Sequence, residues 1–249
     1  MKWFETARRA PGRNWWMMLW LDTVEGVARM LAWSLLRYRV HHRDRIPREG
    51  AVIFICNHES YLDPVLCGVA TRDRPSRPLA QDGLFKSLPM RLIMKSLGAL
   101  SLSGKASDKS ALRATLAELE AGRTVLIYPE GSRCRDGAMQ PFKPGVGLLM
   151  KRSKALVQPM GIAGAFDAWP RSGKFHFGKR VECELGTPIE SDELLKDGID
   201  VALRRLECEV DALRLRCRQR IRDRTGGRQP APGPGDQPFS QDNGESATQ

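Results

Sequence analysis

The sequence predicts an α/β fold: a mixed, largely parallel central sheet flanked by helices, preceded by a pair of N-terminal helices. Three observations predict it. Short apolar runs at residues 52–56, 125–128 and 156–162 are bounded by turn residues, as strands buried on both faces are. Helical patterns lie between and after those runs. The chain has 249 residues with 41% hydrophobic content, enough for a sizeable core.

Taken in order, residues 1–13 are basic and irregular, with a Pro11-Gly12 break. Residues 14–40 are rich in Trp (15, 16, 20 and 33) and end on Arg37 and Arg39. The stretch is long enough to cross a bilayer, which takes about 20 residues. However, Asp22, Glu25 and Arg29 stand in its middle, and each charge at a membrane centre costs roughly 2.5–3.5 kcal/mol. A bent pair of helices lying in the interface fits better, with Trp at headgroup depth and Arg toward anionic lipid. The competing reading is an aromatic helix packed on the core. His41 and His42 read as exposed linker residues, since no acidic or Cys partner stands at ligand spacing.

The run at 52–56 opens into a polar turn with Asn57, His58 and Asp63. Asp63-Pro64 signals a helix start, Asp as N-cap and Pro at the first helical position. His58 thus lies at a strand's carboxyl end, where open α/β sheets place ligands. Asp63 is close enough to fold back on the imidazole, and a His backed by a carboxylate is a general base of fixed orientation. The bland alternative is a structural His beside an ordinary helix start.

Residues 71–78 are a basic loop. Residues 79–80 and 100–102 read as short strands, and residues 84–97 as a core helix or an acyl trough. Residues 108–121 form a helix with leucines at 112, 116 and 119, ended by Gly122. The strand at 125–128 opens into Pro129-Glu130-Gly131-Ser132-Arg133. A short helix covers 148–151. Pro159 inside the third strand argues for an edge or a terminus. Residues 174–185 alternate around Gly178 like a hairpin. The last helix, 200–222, carries Leu203, Leu206, Val210, Leu213, Cys217 and Ile221 on one face and arginines opposite. From Thr225 the chain holds five Gly and four Pro and reads as disordered. The expected units are 1–46, 47–224 and 225–249.

Net charge is +11, which points to anionic partners: nucleic acid, anionic lipid, a phosphorylated substrate or an acidic carrier. Aromatic and basic residues do not interleave as base stacking requires, so nucleic acid is set aside. The six Cys show no paired metal spacing and read as reduced thiols in a cytosolic setting. No secretory signal is evident.

The second loop repeats the layout of the first. A buried strand ends in a carboxylate, a Gly that admits a ligand to the backbone, a hydroxyl and a guanidinium suited to bidentate phosphate binding. Together, Asn57-His58 to Asp63 and Tyr128-Pro129-Glu130-Gly131-Ser132-Arg133 resemble the His-x4-Asp and Phe-Pro-Glu-Gly-Thr-Arg blocks of the 1-acylglycerol-3-phosphate acyltransferase family. Phe142-Lys143-Pro144-Gly145, Val157-Gln158-Pro159 and Gly186-Thr187-Pro188-Ile189 resemble later blocks. The likeness covers residues 47–189. It departs near Gly98, where the family's arginine has Lys105 as a displaced stand-in.

The resemblance implies acyl transfer from acyl-CoA or acyl-carrier protein to the free hydroxyl of a lysophospholipid, foremost 1-acylglycerol-3-phosphate, with no metal or cofactor. His58 would take the proton, Asp63 would hold and charge the imidazole, and Asn57 or backbone N–H groups would stabilise the oxyanion. Gly131, Ser132, Arg133 and Lys105 would hold the acceptor phosphate, with Glu130 orienting Arg133 or the acceptor. The enzyme would sit on the cytoplasmic face of the cell membrane, peripheral or monotopic, against an anionic lipid surface. Three alternatives compete: another lysolipid or an amino-acid lipid as acceptor, a hydrolase with Ser60 or Cys134 as nucleophile, and a non-enzymatic basic membrane-binding protein. The hydrolase lacks a Gly-x-Ser-x-Gly elbow, and Ser60 lies too near His58 for a dyad.

Overall fold

The computed structural model describes residues 14–76, 79–81, 100–102, 108–171 and 173–240. Helices and strands alternate from β2 (Val52–Cys56) through α2 (Asp63–Ala70), α3 (Asp108–Glu120), β5 (Thr124–Ile127), α4 (Gly145–Ser153) and β6 (Leu156–Ala163). Before them stand α1 (Trp15–Leu36) and β1 (Arg39–His41). After them come α5 (Ala165–Ala168), β7 (Glu182–Leu185), β8 (Ile189–Glu190), α6 (Ser191–Leu194) and α7 (Ile199–Thr225).

The main sheet runs β1-β7-β6-β2-β5, with β8 also on β6. β2 pairs parallel with both β5 and β6, while β7 and β8 run antiparallel to β6. β3 (Leu79–Gln81) and β4 (Leu100–Leu102) form a separate parallel pair. The expected helix or trough at 84–97 lies outside the described residues.

Alternation along β2 builds the two layers. Val52, Phe54 and Cys56 join a cluster with Leu36 of α1, Leu66 and Cys67 of α2, and Ala165 of α5. Ile53 and Ile55 join the opposite cluster with Leu119 of α3, Leu149 of α4, and Leu206 and Val210 of α7. All five β2 residues are fully buried, as a central strand covered on both faces requires. α7 lies close on β6 because Gly161 has no side chain; a Cβ there would collide with the backbone nitrogen of Arg214.

Five expectations need correction. The N-terminal segment is one continuous helix, capped by Asn14, whose side chain accepts from the Met17 N–H at 2.8 Å. It ends at Arg37 in the left-handed region. It packs Ala32 and Leu36 inward and leaves Trp16, Met30 and Trp33 at 63%, 60% and 70% exposure. No described helix is long and apolar enough to cross a membrane.

Pro159 sits in the middle of the sheet, not at an edge. Its carbonyl accepts from Gly186 N–H on the β7 side, so its missing donor faces that same side. There β8 pairing stops at Val157 and β7 pairing starts at Met160. The absent N–H therefore falls in a gap and breaks no ladder bond.

Residues 174–185 form no hairpin, since only β7 at their end is a strand. The partners of β7 are β1 and β6. His41 of β1, expected exposed, pairs with buried Glu182 at 2.9 Å.

Residues 226–240 are ordered along α7 instead of loose. Arg214, buried, donates to Asp211 and to the Gly235 and Gln237 carbonyls. Arg218 and Arg222 both bind Asp236. Burial alone would raise the Asp236 carboxyl; the two arginines and the Gly233 N–H instead bring it to about 2. Three guanidiniums thus order a segment that composition alone reads as loose.

Candidate active site

β2 and β5 are adjacent and parallel, so the loops after them open at the same end of the sheet. The β2 loop carries His58 and the β5 loop carries Glu130 to Arg133. The main chain stitches the two loops together. Cys134 N–H donates to the His58 carbonyl at 2.8 Å, and His58 N–H donates to Glu130 Oε1 at 2.6 Å. Glu130 Oε2 accepts from Gln140 N–H at 2.9 Å. Glu130 is therefore a buried brace that fixes the His58 backbone, and it does not orient Arg133.

The imidazole is held on two sides. Its Nδ1 lies 2.8 Å from Asp63 Oδ2, and its ring stacks on Tyr128 with centroids 4.2 Å apart. Asp63, expected as the N-cap, is instead the first residue of α2, with Leu62 at the cap position, and its carboxylate turns back into the loop. Oδ2 also accepts from Glu59 N–H at 2.6 Å and Ser60 N–H at 2.7 Å. Those N–H groups and the helix start favour a negative charge there. Full burial pushes the other way and raises the Asp63 carboxyl to about 6, against the pull of the His58 bond. With Nδ1 engaged, the Nε2 edge of His58 is the one left to meet a substrate; the side chain is 17% exposed.

Arg133 crosses to the other loop. Its guanidinium carbon sits 3.3 Å from the centre of the Tyr61 ring, and Tyr61 is three residues past His58. Cation–π contact holds the plane without using its N–H donors. One of them, Nη1, is shut off from solvent and has no partner among the described residues. Such a donor costs free energy unless an acceptor arrives. Gly131 has φ +71, and a Cβ there would lie 2.5 Å from Lys143 Nζ. Lys143 therefore packs a second cation against this loop, which sequence reasoning missed although it quoted the Phe142-Lys143-Pro144-Gly145 block. Gly131 and Ser132 are exposed beside it. Lys105 lies outside the described residues.

Asn57 does not face the cleft. It is buried, its Nδ2 donates to the Ile162 carbonyl at 3.0 Å, and its Oδ1 accepts from Ile162 N–H at 2.8 Å. Both ends of the amide are committed to β6, so an oxyanion role is replaced by a structural one: closing the β2–β6 seam below His58. The nucleophile alternatives also lose their footing. Ser60 is buried and donates to the Trp169 carbonyl at 2.7 Å. Cys134 is buried, and desolvation pushes its thiol well up, so it supplies no thiolate. Among the described residues no cluster of His, Cys, Asp and Glu is arranged to hold a metal ion.

Behind the imidazole, Glu59 is fully buried. One oxygen accepts from Phe166 N–H at 3.1 Å and the other has no partner. Burial, then the neighbouring Asp63, lifts its carboxyl from 4.5 to about 8. The folded chain thus keeps a proton that the unfolded chain loses. The stability this contributes is complete below about 4.5 and is lost as pH rises toward about 8. Thermal unfolding of the wild type is expected to shift to lower temperature between those limits. Glu59→Gln is expected to make that slope shallower without abolishing it, because burial raises the Glu130 carboxyl to about 8 as well; an unchanged slope would remove Glu59 as a source.

A family profile described as Acyltransferase matches residues 37–163, which include both loops. The 1-acyl-sn-glycerol-3-phosphate acyltransferase of Bacillus subtilis is 21% identical over 187 residues, covering 70% of this chain and 90% of the relative. That of Limnanthes douglasii is 32% identical over 159 residues, covering 59% of this chain and 53% of the relative. The chain thus spans nearly all of the bacterial relative and about half of the plant one. Among solved structures, the 1-acyl-sn-glycerophosphate acyltransferase PlsC of Thermotoga maritima has the same fold, with a TM-score of 0.62. The alignment covers 75% of this chain and 78% of that one at 22% identity.

Proposed function

The chain belongs to the acyltransferase family, among the 1-acylglycerol-3-phosphate acyltransferases, and on that premise we propose its reaction and the residues that carry it. The reaction is transfer of a fatty acyl group from a thioester donor, acyl-CoA or acyl-carrier protein, to the free hydroxyl of 1-acylglycerol-3-phosphate, giving phosphatidate. The observation that carries this reading is the 2.8 Å His58–Asp63 pair on a loop whose Tyr61 lies under the Arg133 guanidinium.

His58 Nε2 removes the hydroxyl proton as the oxygen attacks the thioester carbonyl carbon. Asp63 stabilises the imidazolium that results and keeps its ring oriented. The tetrahedral intermediate expels the thiolate as the C–S bond breaks, and His58 returns the proton to sulfur. The products are an ester and a free thiol. Arg133 binds the acceptor phosphate with the N–H donors that Tyr61 leaves free, and Gly131, Ser132 and Lys143 line the same loop. Net charge of +11 draws in both an anionic acceptor and an anionic donor. The exposed tryptophans of α1 would rest at the headgroup level of an anionic bilayer, where the acceptor resides.

The test is a panel of lysolipids incubated with purified protein and labelled acyl donor. Lysophosphatidate is expected to be acylated in preference to lysolipids whose phosphate carries a further headgroup. Acylation of another lysolipid alone would overturn the acceptor assignment and leave acyl transfer standing. Arg133→Gln is expected to raise KM for lysophosphatidate by about 10–100-fold, the size of a lost charge-assisted contact. The donor KM should change far less. Steady-state kinetics with each substrate varied in turn checks this.

A further inference from the structure

From Arg133 outward the rings form a single file. Tyr61 lies 5.5 Å from Trp169, Trp169 5.9 Å from Phe175 edge-on, and Phe175 4.8 Å from Phe177 edge-on. Tyr61 and Phe177 stand at 51% and 73% exposure, and Trp169 is partly open as well. Nothing in the fold needs those faces in water. Phe175 packs against the core cluster beneath and anchors the row. Ser60 ties the row to the catalytic loop through the Trp169 carbonyl at 2.7 Å, and His176 N–H bonds the Ala168 carbonyl at 2.8 Å. The row is therefore braced at both ends, not carried on a free loop.

Its shape is one cation followed by one line of apolar rings. The complement is an amphiphile with one anionic head and one hydrocarbon chain. The donor is a poorer match, since a long pantetheine arm separates its phosphates from its acyl chain, whereas here the cation and the first ring are in contact. We propose that this row is the seat of the acceptor's own acyl chain: phosphate on Arg133, chain laid across Tyr61, Trp169 and Phe177. Tyr61 does two things here. Its ring face holds the guanidinium, and its edge begins the track. The inference rests on the acceptor reading above and adds where the acceptor lies and what sets its chain-length preference.

The experiment compares lysophosphatidates with hexanoyl, decanoyl and oleoyl chains, each kept below its aggregation limit. Wild type is set against Phe177→Ala and Trp169→Ala. Phe177 is so exposed that its truncation leaves the fold alone. Each substitution is expected to raise KM for the oleoyl acceptor by about tenfold, comparable to losing the burial of roughly two methylenes. For Phe177→Ala the hexanoyl value should move by less than about twofold, because that chain stops short of the outermost ring. Equal shifts at every chain length, or no shift at any, would overturn the proposal. So would unchanged kinetics accompanied by weaker sedimentation with phosphatidylglycerol vesicles, which would make the row a membrane contact.

Binding is measured as well, by calorimetry in His58→Ala protein, where no turnover intervenes. If that protein binds the oleoyl acceptor more tightly than the hexanoyl one, and Phe177→Ala removes the difference, the seat stands even where no acylation is found. Turnover without any such preference would sink the seat and leave the enzyme reading intact.

Discussion

His58→Ala is expected to cut phosphatidate formation by about 10²–10⁴-fold, the usual contribution of a positioned general base. The loss should fall on kcat, with KM for donor and acceptor little changed, because neither substrate's binding depends on the imidazole. Folding should survive. The His58 main chain keeps its bonds to Glu130 and Cys134, and neither uses the ring. Loss of the stacking on Tyr128 and of the Asp63 bond leaves a small space that opens to the cleft. A circular dichroism spectrum and unfolding temperature close to wild type would separate lost chemistry from lost structure. Turnover within about threefold of wild type would remove His58 as the base.

Asp63→Asn is expected to be nearly as damaging, by about 10²–10⁴-fold, for a different reason. The amide oxygen can still accept from His58 Nδ1–H and from the Glu59 and Ser60 N–H groups, which now meet on Oδ2. The geometry is kept and the charge that stabilises the imidazolium is gone. The Asn amino group would also take the place of Oδ1, which is buried with no hydrogen-bond partner, so a modest fall in stability accompanies the loss of rate. Because Asp63 acts only through His58, the double variant His58→Ala/Asp63→Asn should be no slower than His58→Ala alone. Rates that multiply would mean that Asp63 contributes by a second route. The comparison needs only initial rates for four proteins at one saturating substrate level.

The parts of this site that were legible from sequence are those encoded locally. Asp63 follows His58 by five residues, and a helix starting at the carboxylate turns it back on the ring, so strand, turn and cap signals are enough to pair them. Arg133 is legible because its loop repeats the same strand-then-turn grammar one strand away. The remainder depends on partners far along the chain. Asn57 looks like a cleft amide until Ile162, on a strand more than a hundred residues later, takes both its ends. Glu130 looks like a ligand carboxylate until the His58 N–H is found on it. Pro159 looks like an edge signal because a single strand cannot show that its two neighbours leave a gap beside it. The tail looks disordered because Gly and Pro count says nothing of the three arginines waiting on α7. The aromatic row beyond Tyr61 was invisible for the same reason: its rings come from two distant segments and meet only in the fold.

One measurement bears on the whole account most directly: the transfer of radiolabelled acyl groups from a thioester to lysophosphatidate by wild type and His58→Ala, with free fatty acid counted alongside. Labelled phosphatidate is expected from the wild type, almost none from the variant, and little free acid from either. Label released as free acid without acceptor, or equal phosphatidate from both proteins, would contradict it.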